Sequence, residues 1–173
     1  MINLTSQLTE ADLAVIKQIY DASFPIEERR PWETIIKPAK AGCPTLYAIL
    51  SDGHIVGMAT VWTFGRFAYI EHLALDGSVR NRGLGSEALS AIIDTVSPLP
   101  VVVEVEVPTD NDPMTRRRVN FYARQGFQVI DPYYVQPPYA DGLPEVELYL
   151  MANAPVSPVE TTYTLHTEVY GKH

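Results

Sequence analysis

Cys43 is the one cysteine in 173 residues, so an internal disulfide is excluded and a reducing compartment fits. Its setting, Gly42-Cys43-Pro44 just ahead of a strand-like run, reads as a small loop or core residue, because no histidine is placed to activate it. No apolar run approaches the ~18 residues that span a bilayer. Met1-Ile2-Asn3-Leu4-Thr5 has neither the basic nor the apolar region of a secretory leader, which points to the cytoplasm. Lysine is missing between Lys40 and Lys172, and 21 acidic against 13 basic residues give a formal charge of −8. That balance argues against nucleic-acid binding, which needs a basic face, and mildly favours cationic partners such as amines. Metal-ligand spacing is also missing. His54 falls in a hairpin turn, His72 on a strand opposite the Glu71 face, and His166 and His173 in the tail, so no metal site is expected.

What is present is an ordinary globular composition, 46% hydrophobic and 20% charged, enough for one domain with its own core. Residues 1–5 suit a short first strand. Thr9 is a helix N-cap, with Glu10 and Asp12 in the first turn and Leu13, Ile16, Ile19 and Tyr20 as the apolar stripe. Trp32, Ile35 and Ile36 suggest a second short helix. Leu46 to Leu50 and Ile55 to Trp62 form strands about an Asp52-Gly53 turn, and Phe67 to Leu75 a third. Leu84, Ala88, Ile92 and Val96 recur at four-residue spacing, a helix face buried on a sheet. Val101 to Val107 alternates, with Glu104 and Glu106 on one side. Asp112-Pro113 opens a helix that Gly126 stops. Phe127 to Ile130 and Val146 to Met151 are strands around an aromatic, proline-rich loop, Asp131 to Pro144. Residues 1–153 read as a single domain, and 154–173 as an extension whose alternating 161–170 stretch suits an edge strand. Such a strand would also offer a route to a homodimer.

Between the third strand and the following helix lies Arg80-Asn81-Arg82-Gly83-Leu84-Gly85. Glycines there let backbone N–H groups approach a phosphate or pyrophosphate at a helix start. The dinucleotide fingerprint and the nucleotide P-loop both require residues that are absent, because Ser86-Glu87 follows Gly85. The stretch resembles instead the R/Q-x-x-G-x-G/A acetyl-CoA signature of the GNAT acyltransferases. Asn120-Phe121-Tyr122-Ala123-Arg124-Gln125-Gly126-Phe127 resembles a second signature of that family, F/L-Y-x-x-x-G-F. The two span roughly residues 67 to 130, and the preceding hairpin extends the likeness over most of the chain.

The resemblance implies an α/β (α+β) GNAT fold, a mixed sheet flanked by helices, and an N-acetyltransferase that moves acetyl from acetyl-CoA to a primary amine without a covalent intermediate. It implies a cofactor site at Leu73, Ala74 and Leu75, at Arg80, Asn81, Arg82, Gly83, Leu84, Gly85 and Ser86, and at Arg118. Thr115 stands where many members carry a CoA-contacting asparagine. Tyr122 is implied as hydrogen-bond or proton donor to the departing sulfur; without the motif it would read as a core aromatic.

An alkyl amine of pKa ~10.4 is neutral only about once in 2,500 molecules at pH 7, a penalty of ~4.6 kcal/mol, so a base or an unprotonated binding mode is needed. Glu71 is the first candidate, alternating with Tyr69 and Leu73, and Glu104 the second; the plainer reading pairs such glutamates with arginines. The resemblance implies an acceptor site between the first helical pair and the loop joining the last strands, at Phe24, Glu27, Glu28, Arg30 and Trp32, with Tyr134 and Tyr139. These residues could enclose a cationic small molecule, or merely pack the loops. Two other functions fit the motifs: a peptide or protein N-terminal or lysine acetyltransferase, and an acetyl-CoA-binding sensor with little turnover.

Overall fold

A computed structural model describes residues 1–37 and 44–172; Cys43 lies outside them. Among the described residues seven strands form one sheet in the order β1-β2-β3-β4-β5-β7-β6. They are β1 (Ile2–Thr5), β2 (Thr45–Ser51), β3 (His54–Thr63), β4 (Ala68–Leu75), β5 (Val101–Glu106), β6 (Gln128–Gln136) and β7 (Val146–Ala152). Helices α1 (Glu10–Ser23), α2 (Trp32–Ile35), α3 (Leu84–Val96), α4 (Pro113–Arg124) and α5 (Pro158–Thr164) flank it. The mixed, helix-flanked sheet is the architecture expected from the sequence.

The apolar stripes account for the layers. Ala88, Leu89, Ile92 and Val96 of α3 pack on Val101, Val103, Val105 and Ile70, with Phe121 and Tyr122 of α4 beside them. On the opposite face, Ile16, Ile19 and Tyr20 of α1 and Ile35 of α2 cover Leu46, Ala48, Met58 and Ala74. The hairpin between β2 and β3 turns on Asp52 (φ 50°) and Gly53 (φ 81°), both left-handed as a tight two-residue hairpin turn requires.

Two expectations need correction. The stretch 161–170 is helical: α5 is followed by a π-helical turn, Leu165–Val169. Its apparent alternation misleads because Leu165, Val169 and Tyr170 all face inward, packing with Trp62, Tyr69, Val102 and Leu150. A dimer built by pairing such a strand therefore loses its basis. The Asp131 to Pro144 loop is also shorter than expected, since β6 continues to Gln136 through two register irregularities against β7.

The sheet is continuous except at one seam. β4 and β5, the parallel pair, match only over Ala68–Ile70 and Val101–Val103. Beyond Ile70, β4 stays with β3 as far as Leu75, while β5 stays with β7 as far as Glu106. The divergence has a local cause. Thr60 pairs with His72 and Val61 with Ile70, leaving Glu71 as an extra residue, a β-bulge that sharpens twist and breaks pairing. The β3–β4 half is held close where Gly57 passes Ala74: a Cβ at Gly57 would lie 2.5 Å from the Ala74 carbonyl oxygen. Gly57→Ala is expected to lower unfolding free energy by roughly 1–3 kcal/mol, read as a reduced urea midpoint; an unchanged midpoint would show that the strands do not need this approach.

Candidate active site

The parting strands open a groove of about 390 Å³. Ile70 to Leu75 form one wall and Val103 to Glu106 the other, and Phe24, Glu28, Tyr139, Arg80, Met114, Arg118 and Tyr122 complete the lining. Past Ile70 and Val103 the parallel ladder stops, and the residues beyond it on both strands line this space. Their backbone groups are donors and acceptors of the kind that can hold an extended amide-bearing chain.

The glycine loop begins at Arg80, which borders the groove. After the 3₁₀ turn Gly77–Val79, Asn81 (φ 67°) and Gly83 (φ 75°) both adopt the left-handed conformation. This bends the chain so that α3 starts at Leu84 directly behind Gly83. The first N–H groups of α3, those of Leu84, Gly85 and Ser86, have no carbonyl one turn earlier and carry the positive end of the helix dipole. Gly83 is demanded by its φ. Gly85 is different: a Cβ there would meet the Phe121 ring at 3.5 Å and Leu75 at 3.8 Å, ordinary contacts, so internal packing does not require a glycine at this position. Arg82 is exposed. Ser86 Oγ accepts a hydrogen bond from Gln125 Nε2 at 3.0 Å, tying the loop to the end of α4.

Two of the implied cofactor side chains are engaged elsewhere. Thr115 is buried, its hydroxyl donating to the Asp112 carbonyl (2.6 Å) and accepting from the Thr109 N–H (2.9 Å), which closes the turn before α4. Arg118 pairs with Glu106 across the groove mouth.

The bulge overturns the expected alternation on β4. Leu73 packs with the α3 face, whereas Glu71 and His72 both project to the opposite side. Glu71 Oε1 accepts from Trp62 Nε1 (2.7 Å), Glu71 Oε2 from Tyr139 Oη (2.8 Å), and Arg30 Nε donates to Oε2 at 3.0 Å. The Glu71 side chain is 0% exposed and that of Arg30 14%. Burial alone would raise the Glu71 pKa, but the neighbouring His72 and Arg30 charges and the hydrogen bonds hold it below the usual value. Arg30 is the steady cation of the two, because burial depresses the His72 imidazole. His72 Nε2 faces the Glu28 carbonyl (2.8 Å) and so carries the proton, leaving Nδ1 to accept from Thr60 Oγ1 (3.0 Å).

Arg30 is itself clamped. Tyr20 Oη accepts from the Arg30 N–H and donates to the Arg30 carbonyl, and the guanidinium lies over the rings of Trp62 (5.3 Å) and Tyr139 (5.8 Å). Its Nη2 donates to the Val169 carbonyl.

Glu104 sits in the contrasting environment. Its Oε1 accepts from the hydroxyls of Tyr69 and Tyr170 (2.6 Å for Tyr170), while Oε2 is buried without a partner. The Tyr134 hydroxyl is near enough to favour the carboxylate yet meets no hydrogen-bond geometry. Among the described residues no cation pairs with Glu104. Burial pushes its pKa up to about 7, against the pull of Tyr134, Tyr170 and Tyr69 and with added repulsion from Glu71. Glu28, also on the groove, is raised by burial and by Glu106. Burial pushes the Tyr122 hydroxyl up to about 12, with Arg118 opposing, so it is protonated at neutral pH and able to donate.

The remaining acceptor candidates divide. Phe24 and Tyr139 border the groove and both approach His72, with ring centroids at 4.7 and 6.4 Å. Tyr134 is buried behind Glu104. Trp32 packs on Tyr20 under Lys17, and Glu27 lies outside the groove lining. Sequence reasoning missed Trp62, Tyr69, His72 and Tyr170 as site residues. Strand alternation could have offered Tyr69 and Trp62; the bulge hid His72, and the helical tail hid Tyr170. Among the described residues no group of His, Cys, Asp and Glu could hold a metal ion, and no helix is long and apolar enough to cross a membrane.

A family model described as the acetyltransferase (GNAT) family matches residues 13–127. A GNAT-family acetyltransferase from Bacteroides thetaiotaomicron is 30% identical, superposes with a TM-score of 0.88, and covers 99% of each chain. The Escherichia coli ribosomal-protein-S18-alanine N-acetyltransferase is 18% identical, with a TM-score of 0.63 over 91% of this chain and 97% of its own. Arabidopsis thaliana Naa50, in complex with a bisubstrate analogue CoA-Ac-MVNAL, is 17% identical, with a TM-score of 0.60 over 89% and 99%. No curated protein matches the sequence. The family match, which spans more than half the chain and takes in both the glycine loop and the tyrosine motif, shows that the chain belongs to the GNAT acetyltransferases.

Proposed function

We propose that this acyltransferase moves acetyl from acetyl-CoA to the primary amine of a small molecule in the cytoplasm, with Glu104 as the base. The observation that carries the reading is the contrast between two buried glutamates on one groove. Glu71 is held ionised by Arg30 and low in basicity; Glu104, unpaired and raised to about 7, is poised near neutral pH, where a general base works best. Environments that push two carboxyl pKa values apart are how one site divides its roles.

In this scheme the pyrophosphate lies on the α3 N-terminus and the Asn81–Gly85 backbone, and the pantetheine amides run along the open edge of β4. The bound ammonium first gives one proton to Glu104 Oε2, directly or through a water, and the neutral nitrogen then attacks the thioester carbonyl carbon. The C–S bond breaks, Tyr122 hydrogen-bonds the sulfur as thiolate charge develops, and the second N–H proton passes to the departing thiolate or to solvent. Full transfer from tyrosine to thiolate would be uphill by ~2 kcal/mol at ordinary pKa values, and the raised value of Tyr122 makes donation without complete transfer the better description.

The acceptor candidates support a cationic amine. Phe24, His72 and Tyr139 supply aromatic walls and Glu28 a carboxylate, while Arg30 is committed to Glu71 and the Val169 carbonyl. A substrate carboxylate would have to compete with those two partners for the guanidinium.

CoA release should first be screened over polyamines, amino acids, aminoglycosides and short peptides, with small cationic amines expected to turn over and free peptides not. For the acceptor so found, log kcat/KM should rise with unit slope as pH approaches about 7, because protonated Glu104 cannot accept a proton, and then level off. Glu104→Gln should abolish that limb and Glu71→Gln should preserve it; the opposite pattern would transfer the role to Glu71. Tyr122→Phe should lower kcat about 10–100-fold with little change in acetyl-CoA binding, as expected for losing one hydrogen bond to a charged group. Unchanged turnover would remove Tyr122 from the chemistry.

A further inference from the structure

The C-terminal segment reaches two acids of the groove, Glu104 directly and Glu71 through Arg30. Ser157 caps α5, and the π-helical turn that follows closes with the Tyr170 N–H on the Leu165 carbonyl at 3.2 Å. A wider turn keeps residues four and five apart on one side, and Leu165, Val169 and Tyr170 are accordingly 0%, 5% and 9% exposed. His166 Nε2 donates to the Val135 carbonyl of β6 (2.9 Å), fixing the segment from its other edge.

Two consecutive residues of this turn then serve the two buried glutamates. The Val169 carbonyl receives Arg30, the partner of Glu71. The Tyr170 hydroxyl donates to Glu104 Oε1 (2.6 Å), lies 3.3 Å from the Tyr69 hydroxyl, and its ring lies 5.2 Å from that of Tyr139. Tyr69 and Tyr170 are both directed at Oε1, while Oε2 is buried near the Tyr134 hydroxyl.

We propose that Tyr170 is a positioning residue of the acetyl-transfer site: its hydroxyl, delivered by the C-terminal helical turn, fixes the Glu104 carboxylate and sets which oxygen accepts the proton. The proposal rests on the reading of Glu104 as base, but the contact it invokes can be measured without turnover. The groups facing Glu104 are Tyr69 and Glu71 from β4, Tyr134 from β6, Tyr139 from the β6–β7 connection and Tyr170 from the tail. Of these, Tyr69, Tyr134 and Tyr170 stabilise the carboxylate, whereas Glu71 destabilises it. Removing the Tyr170 hydroxyl must therefore make Glu104 harder to ionise.

The test follows the Glu104 side-chain carboxyl by ¹³C NMR through a pH titration of the whole protein, with Glu104→Gln assigning the signal. In Tyr170→Phe, which keeps the ring, the midpoint should rise by about one unit, the scale of one lost hydrogen bond to a charged group. Tyr163→Phe, a change on the exposed side of the same segment, should leave it in place. Where Tyr170→Phe does not fold, Tyr170→Met keeps apolar bulk without the hydroxyl and gives the same comparison. An unmoved midpoint in a folded Tyr170 variant overturns the proposal. A pH–rate limb that survives Glu104→Gln overturns instead the reading of Glu104 as base, and the carboxyl titration separates the two failures.

Discussion

The divergence of β4 from β5 after three matched residues is the constraint on which the site depends. A sheet paired through Leu75 and Glu106 would have no groove. Its continuity is kept on both sides, by β3 against β4 and by β7 against β5, so the gap is held by two rigid half-sheets rather than by loops. One inserted residue, Glu71, both loosens the seam and re-aims the side chains around it. The same irregularity moves Leu73 into the α3 layer and turns Glu71 and His72 toward the aromatic residues Trp62 and Phe24.

Two carboxylates close to this seam are buried at the cost that burial always imposes on charge, and the protein meets the cost in two ways. Glu71 receives a guanidinium, an indole N–H and a phenol. Removing Arg30 alone would leave an uncompensated buried anion, a loss of roughly 3–5 kcal/mol. Glu104 receives neutral hydroxyls only. The first solution gives a fixed ion pair that joins the α1–α2 connection, β4 and the tail. The second leaves a group whose charge changes near neutral pH. On this account the chain's aromatic residues around the acids supply directed hydrogen bonds as well as packing.

Most of the fold was legible because its signals are local. The Thr9 cap, the Asp52-Gly53 turn, the α3 stripe and the Gly126 stop act within a few residues, and the glycine loop and the tyrosine motif carried the family. The roles of the acids were not legible. Glu71 meets Arg30 from 41 positions away and Glu104 meets Tyr170 from 66, and no spacing rule reaches that far. The expected alternation of Tyr69, Glu71 and Leu73 failed because a bulge flips every later side chain. The tail failed for a related reason. Alternating Thr, Tyr and Leu suit a strand in isolation, but helical packing on Trp62, Tyr69 and Leu150 decides the outcome, an instance of tertiary contacts overriding local preference.

In the proposed reaction the acceptor nitrogen approaches Glu104 while Glu71 stays bound to Arg30. A crystal structure of the protein with a CoA–acetyl–amine bisubstrate analogue, built on an accepted amine, tests it most directly. The nitrogen is expected within hydrogen-bond reach of Glu104 Oε2, directly or through one water, with the pyrophosphate on the Asn81–Gly85 backbone and the Arg30–Glu71 pair intact. A nitrogen seated against Glu71, with Arg30 displaced, would contradict it.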